Sequence, residues 1–284
     1  MNPRQAHKSR PFTTTPIATV LHAIWLKFPS FIRLQAYKLL KLAGSYIYEP
    51  SATMGVQRLP FGMYLKFGPE YHRDRHIREF NALKLVRKHT SIPVPCPIDL
   101  ILSSEDSVMV TSRIDGERAG VEIDWYSDED MRLMAQDLRG WIAELHSIRR
   151  PTDLKDEICG ILGGSCLDYR ISSEPSGPFH NEKELSEHLR LGILPDLVHR
   201  NDHRILLAHG DLNMRNILVK NGRISGIVDW ENAGWYPEYW EYTKCHFSVR
   251  LHKRWLRLID SVFENRYQEE LKIERQYWVY HSPW

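Results

Sequence analysis

The 284-residue chain has four cysteines, no C-x-x-C pair among them, and no long apolar run. Cys96, Cys159, Cys166 and Cys245 have neither the spacing of zinc ligands nor that of a disulfide framework. The longest stretch without Asp, Glu, Lys or Arg, Pro11 to Leu26, is 16 residues and contains Pro16, four threonines and His22. It is too short and too polar for a spanning helix, so no membrane span is expected. Charge of one sign is not in excess either: 38 Lys and Arg stand against 36 Asp and Glu, a net of +2. That balance argues against a dedicated nucleic-acid binder. No internal repeat and no low-complexity tract is present. With 42% hydrophobic and 26% charged residues, the composition is that of a globular chain, long enough for one large or two smaller domains with a real core.

The first 48 residues lack acid altogether. They carry Arg4, Lys8, Arg10, Lys27, Arg33, Lys38 and Lys41 and reach their first carboxylate only at Glu49. A basic, Thr-bearing start has the composition of an organellar transit segment. The competing expectation is a loose tail followed by a packed helical segment, because Leu21, Ile24, Phe28, Phe31, Leu34 and Leu42 recur at helical spacing. No apolar segment is followed by a small-residue cleavage site, and a cytoplasmic location is expected, with organellar targeting as the alternative.

Past Glu49 the periodicity changes. Met54 to Leu59 and Met63 to Phe67 alternate on either side of Pro60-Phe61-Gly62, which predicts a β-hairpin. Ile77 to Lys88 predicts a helix with Ile77, Phe80 and Leu83 on one face. Prolines at 93, 95 and 97 force extended backbone, and Val108 to Ser112 reads as a strand. From Asp128 the character is helical: Asp130 to Ser147 carries Met131, Met134, Leu138, Trp141, Ile142 and Leu145, with Ser127 or Asp128 as N-cap. Residues 150–182 are loop-rich, Asn181 to Leu191 predicts a further helix, and Lys244 to Glu270 is helical. Ile205 to Ala208, Asn216 to Val219 and Ile224 to Val228 are short apolar runs separated by polar turns. The expected division is a basic tail and helix (1–48), a small β-rich lobe (49–113) and a larger, mostly helical lobe (114–284).

The chemistry-bearing stretch runs from Leu207 to Tyr242. Asp211 follows an apolar strand, Asn216 lies five residues on, and Asp229 ends another strand beyond the Asn221-Gly222 turn. Such a hairpin points two carboxylates and a carboxamide into one space. Hard oxygen donors of this kind suit Mg²⁺, which retains waters and substrate phosphates in its shell. Phosphoryl transfer needs such a metal together with a carboxylate that orients the attacking hydroxyl.

These residues resemble the aminoglycoside phosphotransferase family of kinase-like enzymes, and in particular its fungal branch of small-molecule kinases. The family's H-G-D-x-x-x-x-N stands here as His209 to Asn216, and its metal motif as Val228-Asp229-Trp230-Glu231. The branch's A-G-W-x-P-E-Y-W-E stands as Ala233 to Glu241. Arg58 to Lys66, Ser91 to Pro95 and Gly177 to Phe179 match as well, so the resemblance covers about residues 45–265 in order. It implies an α+β, protein-kinase-like two-lobe fold and transfer of the γ-phosphate of ATP to a hydroxyl of a small-molecule acceptor. By the same resemblance Asp211 is the catalytic carboxylate, and Asn216 and Asp229 hold Mg²⁺. Lys66 and Glu79 align the nucleotide phosphates, and Thr111, Ser112, Arg113 and Ile114 form the adenine hinge.

Each assignment has a plainer competitor. An Asp after a strand is commonly a turn residue. Glu70 and Asp74 compete with Glu79 for Lys66. His209 reads as a scaffold for the loop rather than a base, and Arg215 stays unassigned among neutralising Asp211, contacting substrate and simple solvation. Trp230, Trp235, Tyr236, Tyr239 and Trp240 read as packing in preference to a cation cage. The acceptor pocket is expected from residues 160–205, the Trp235 to Glu241 loop and the final helices, with Glu231, Glu238 and Glu241 suiting a cationic acceptor and structural caps and ion pairs accounting for them equally well. No G-x-G-x-x-G precedes Lys66, which leaves ATP against GTP open and admits a non-catalytic kinase-like scaffold. A protein kinase fits less well, because no activation segment follows Asp229. Composition and motifs say nothing of oligomeric state.

Overall fold

The computed structural model describes residues 16–51, 53–104, 106–190 and 199–279. Arg4, Lys8, Arg10, the end of the expected helix at Leu191 and part of the expected acceptor stretch lie outside these. The single apolar-periodic segment at the start is two helices, α1 (Pro16–Trp25) and α2 (Ser30–Ile47). They part at Pro29, which sits in an extended conformation (φ −51°, ψ 142°). Of the expected apolar residues only Leu34 packs against the small-lobe core. Leu21, Ile24, Phe28, Phe31 and Leu42 are exposed, while Tyr37 and Gly44 turn inward. Polar anchoring decides this. Arg33 pairs with the buried carboxylate of Asp99, the Tyr37 hydroxyl donates to Asp99 Oδ2 at 3.0 Å, and Trp25 Nε1 donates to Tyr37 at 2.8 Å. At Gly44 a Cβ would lie 2.2 Å from the Arg58 carbonyl oxygen, so only glycine lets α2 settle on the strand below.

That strand opens a four-stranded antiparallel sheet: β1 (Val56–Leu59), β2 (Met63–Pro69), β3 (Pro97–Leu102) and β4 (Asp106–Ser112), in the order β1-β2-β4-β3. Leu59 pairs with Met63 across the expected turn, and Lys66 pairs with Met109. Side chains alternate through the sheet. Leu65, Val108 and Val110 meet Tyr37 on the α2 side, while Lys66 and Ser107 meet α3 (Arg73–His89) on the other. Helix α3 begins earlier than its apolar pattern and buries His76, Glu79, Ala82, Leu83 and Val86, not Ile77 and Phe80. The reason is again polar: His76 Nδ1 lies 2.8 Å from Ser107 Oγ, and Glu79 reaches Lys66.

The larger lobe follows with β5 (Glu117–Arg118), α4 (Ala119–Glu122) and α5 (Asp128–Ser147). Helix α5 starts on a full capping box: Ser127 Oγ accepts from the Asp130 amide, and Asp130 accepts from that of Ser127. Then come β6 (Cys159–Gly160), α6 (Glu182–Arg190), β7 (Ile205–Ala208), β8 (Ile217–Lys220), β9 (Arg223–Ile227) and β10 (Gly234–Pro237). Helices α7 (Trp240–Ser248), α8 (Lys253–Phe263) and α9 (Gln268–Tyr277) complete it. Two three-stranded sheets, β6-β10-β7 and β5-β8-β9, present the ends of β7 and β9 to the small lobe. Strand β10 stands where packing without a strand was expected. Trp230, Trp235, Tyr236, Tyr239 and Trp240 are each at most 1% exposed, so they are core and not a cage.

The loop-rich 150–182 stretch is staked down by buried charge. Arg170 grips Asp168 at 3.0 Å, Glu274 of α9 at 3.2 Å and Thr243 of α7 at 2.6 Å, and Lys244 Nζ lies 2.9 Å from Asp168. Burial works against the Asp168 carboxylate, but the two cations outweigh it and hold its pKa down at about 2. Nearby, His203 is clamped between Glu182 of α6 (2.8 Å) and Glu270 of α9 (3.1 Å). Burial favours its neutral ring, yet the two carboxylates prevail and raise its pKa. A raised folded pKa gives stability that is fully present below the unfolded value of about 6.5 and fades as pH rises through the folded one. Denaturant unfolding of wild type and His203→Asn should therefore show the widest stability gap near pH 6 and a narrower one near pH 9; a gap that widens with pH would contradict the clamp.

Candidate active site

Lys66 stands on the cleft face of β2 with its ammonium 2.6 Å from Glu79 Oε2 and 2.7 Å from Asp229 Oδ1. Glu79 belongs to α3 and is buried, whereas Asp229 follows β9 in the other lobe, so one cation joins both halves of the molecule. Of the three candidate partners, Glu79 is the one that reaches it. Burial disfavours the Lys66 ammonium, but the two carboxylates more than offset this and raise its pKa. The same cation holds Asp229 below the usual carboxylate range despite its burial. Burial, aided by Asp229, lifts Glu79 above its ordinary value. Asp229 sits at φ 68°, in the left-handed region that Asp and Asn tolerate best among side-chain-bearing residues.

The loop after β7 carries the second group. Asn216 Nδ2 donates to Asp211 Oδ2 at 3.0 Å and to the Asp211 carbonyl at 2.9 Å. With its amide hydrogens directed there, the Asn216 oxygen is left as a hard donor. Ser248 Oγ stands 3.5 Å from Asp211 Oδ1. The Val228 amide donates to the Asn216 carbonyl at 2.9 Å, which places Asn216 beside the Asp229 turn. Gly210 (φ 79°) passes so close to Asn232 that a Cβ would lie 2.3 Å from its carbonyl oxygen. His209 is a brace. Its Nδ1 accepts from the Asp211 amide at 3.2 Å, its Nε2 donates to the Val228 carbonyl at 3.0 Å, and its ring packs edge-on against Trp230. Arg215 is exposed and its side chain turns to Asn213, not to Asp211.

Two features escaped the sequence. Glu241, in the first turn of α7, is buried and accepts from the amides of His209 (2.6 Å), Gly210 (3.2 Å) and Leu212 (3.2 Å). Of its two readings, acceptor contact and structural cap, the contacts are those of a cap: Glu241 moulds the Asp211 loop. Glu238 pairs with Arg204 at 2.7 Å. The rings of Trp235, Tyr236, Tyr239 and Trp240 are buried. The second feature is the convergence of Glu79, Asp229 and Glu231, whose carboxylate oxygens lie within 4.8 Å of one another. Burial and Asp229 raise Glu231 to about 7, and Arg75 Nη1 meets it at 3.3 Å. A small recess beside it is lined by Arg75, Tyr169, Ser172, Ser173 and Glu231.

At the junction of the lobes, Thr111, Ser112 and Ile114 are buried. The amides of Ser112 and Arg113 donate to the carbonyls of Cys96 (2.9 Å) and Gly62 (2.8 Å), and Arg113 pairs with Asp115 at 2.9 Å. Those two N–H groups brace the strand against its neighbours and point at no ligand.

A profile of the phosphotransferase enzyme family matches residues 61–274, from the hairpin turn into α9. The chain belongs to that family. Among curated relatives, aminoglycoside 3′-phosphotransferases of Enterococcus faecalis and Staphylococcus aureus are 24% and 23% identical over 165 residues. In each case 54% of either chain is covered, so the chain spans about half the length of the curated relatives it matches. Among solved structures, the APH(2″)-IIa complex with streptomycin and ATP superposes with TM-score 0.56 at 16% identity, covering 87% of this chain and 86% of that one. An APH(4)-Ia complex with ADP and hygromycin B gives 0.53 at 14%, covering 81% and 82%. These likenesses establish the kinase-like two-lobe fold of this phosphotransferase-family chain.

Within this family member, Glu241 generates a direct test. Glu241→Gln keeps the volume but replaces one of two carboxylate acceptors by an NH₂ that faces backbone donors, at a cost of roughly 2 kcal/mol or more. The melting temperature should fall by about 4–8 °C, and an unchanged melting curve would show that the loop does not depend on this carboxylate.

Proposed function

We propose that the chain is an ATP-dependent small-molecule kinase that transfers the γ-phosphate to a hydroxyl of a metabolite acceptor. The observation that carries this reading is the pair of constellations facing one cleft: Lys66 between Glu79 and Asp229, and Asp211 oriented by Asn216. The family membership supports phosphotransfer as the reaction class. ADP or ATP accompanies the aminoglycoside in the two related complexes, which supports an adenine nucleotide here, and Thr111 to Ile114 are the segment proposed to border its base.

The donor chemistry fits Mg²⁺. Asp229 offers carboxylate oxygens, Asn216 its uncommitted amide oxygen, and Glu231 a further carboxylate close by, all hard oxygen ligands. A bound Mg²⁺ would neutralise phosphate charge as it develops. The chain's own residues do the rest. Lys66, held rigid by Glu79, offers ammonium hydrogens to phosphate oxygens. Asp211 accepts the acceptor hydroxyl's hydrogen at a carboxylate oxygen, and the Asn216 amide keeps that carboxylate turned toward the incoming group. The glutamate-moulded backbone of 209–212 fixes the distance between the two sets.

A small acceptor suits the cleft better than a protein. After Asp229 the chain passes directly into buried β10 and α7, so no activation segment is available to cradle a peptide. The acceptor is proposed to lie against Tyr169, Ser172 and Ser173, from the 160–205 stretch expected for it, with Glu231 beside them. The related complexes hold streptomycin and hygromycin B, and Glu231 is the carboxylate here proposed to meet a cationic group on an acceptor.

The non-catalytic scaffold is the second reading, favoured by the Pro60-Phe61-Gly62 turn that stands in place of a phosphate-cradling glycine loop, with Phe61 82% exposed. Both readings allow Mg²⁺-dependent thermal stabilisation by ATP; only the kinase turns ATP over against a metabolite panel. Asp211→Asn should then reduce kcat by about 10²-fold or more while ATP affinity stays within about twofold. Near-normal turnover in that variant would remove Asp211 from its role, and a wild type that binds ATP but phosphorylates nothing in the panel would favour the scaffold.

A further inference from the structure

Helix α2 is apolar on both faces, and only one of them is covered. Phe31, Leu39, Leu42 and Tyr46, at i, i+8, i+11 and i+15, form one outward stripe and are 66%, 68%, 54% and 83% exposed. Helix α1 also exposes Leu21 at 61% and Ile24 at 48%. This is not a helix waiting to turn inward. Its other face is pinned to the sheet by the Arg33–Asp99 pair and by the Trp25–Tyr37–Asp99 chain of hydrogen bonds, and His22 Nε2 donates to the Ile98 carbonyl at 2.7 Å. The sheet face it covers is the one opposite Lys66, so the outward stripe looks away from the cleft.

An apolar stripe of this size normally marks a surface that binds something, and its charge setting selects the partner. Lys27 and Lys38 are exposed beside it, Arg4, Lys8 and Arg10 precede it in the sequence, and no acidic residue occurs before Glu49. Aromatic and leucine side chains on helices whose exposed charges are lysines match an anionic lipid surface, where the rings enter the acyl boundary and the lysines meet headgroup phosphates; the one carboxylate bordering the groove beneath α2, Asp106, faces Lys41. A protein partner or a second copy would have to cover the same stripe without a negative patch from within 1–48 to complement it. We infer that α1 and α2 form a docking face for anionic membranes, which holds the enzyme fold at a bilayer surface with its cleft open to solution. This inference stands independently of the proposed kinase activity.

Co-sedimentation of the full chain with vesicles tests it. The chain should pellet with phosphatidylcholine vesicles containing roughly 30% phosphatidylserine at about 0.1 M NaCl, and should release as salt is raised. It should bind pure phosphatidylcholine at least about tenfold more weakly. Phe31→Ser with Leu39→Ser and Leu42→Ser should abolish binding to both vesicles while the melting temperature and ATP-induced stabilisation persist, since these side chains are exposed. Lys27→Ser with Lys38→Ser should weaken binding to the serine-lipid vesicles by about tenfold or more, leaving the weak phosphatidylcholine binding unchanged. No pelleting with either vesicle, or equal pelleting of wild type and the triple variant, overturns the inference. So does a dimer in sedimentation velocity that the triple variant dissolves, because the stripe would then be an interface between copies.

Discussion

One ammonium group ties this molecule together. Lys66 arises from β2, an inner strand of the small lobe's sheet, yet it touches a carboxylate from each lobe, Glu79 and Asp229. A buried pair of this kind contributes little net stability against a well-packed apolar alternative, but removing one partner leaves an uncompensated charge and costs several kcal/mol. Its value is therefore positional. The contact sets how far α3 stands from β2, and brings the Asp229 turn, with its left-handed backbone, under the sheet. Any rearrangement that separates the lobes must break it, and a polyanion entering the cleft meets the same cation.

The Asp211 loop obeys a comparable constraint from below. A segment that must bring Asp211 and Asn216 together leaves several backbone N–H groups without strand partners, and inside a protein these need acceptors. Glu241 supplies them for three residues, and His209 bridges the Asp211 amide to the Val228 carbonyl. Helix α7 can place Glu241 there only because its other side chains, Trp240, Tyr242 and Lys244 among them, are buried, with Lys244 and Arg170 paired to Asp168 and Glu274. The aromatic and ionic core of the larger lobe thus acts as the rigid support of one polar loop.

Much of this was legible beforehand. The hairpin, the α5 cap, the Asn221-Gly222 turn and the Asp211, Asn216 and Asp229 spacing follow from turn chemistry and motif order, which are local. What stayed hidden depended on partners distant in sequence. Helix α3 buries Glu79 and His76, which an apolar count places on the outside, because Lys66 and Ser107 meet them from other strands. Strands β3 and β10 begin or run among prolines and aromatics whose pattern looks like loop packing. Glu241 looked like a surface carboxylate beside rings until its three amide donors were in view. The packed face of α2 was missed for the same reason: Arg33 and Tyr37 bury toward Asp99, a residue whose proximity no local pattern announces.

The two buried polar anchors, Asp99 and Lys66, lie on opposite faces of the same four-stranded sheet. Side-chain direction in a strand has a period of two, so a one-residue slip of β2 would turn Lys66 into the apolar layer under α2 and Leu65 into the cleft. The slip would leave Lys66 unpaired in an apolar layer and buried Glu79 without its cation, each at the cost of an unpaired buried charge. The sheet's register is thus held from two sides, by Arg33 and Tyr37 gripping Asp99 and by Glu79 and Asp229 gripping Lys66. It follows that α1 and α2 are structural members of the small lobe, fixed on its back by the contacts of their inner face. Because the inner face, with Leu34, Tyr37 and Leu40 in the core and Arg33 and Tyr37 on Asp99, already attaches the helix, the outer stripe of Phe31, Leu39, Leu42 and Tyr46 is not needed for that, and its apolar character calls for a cause outside the folded chain.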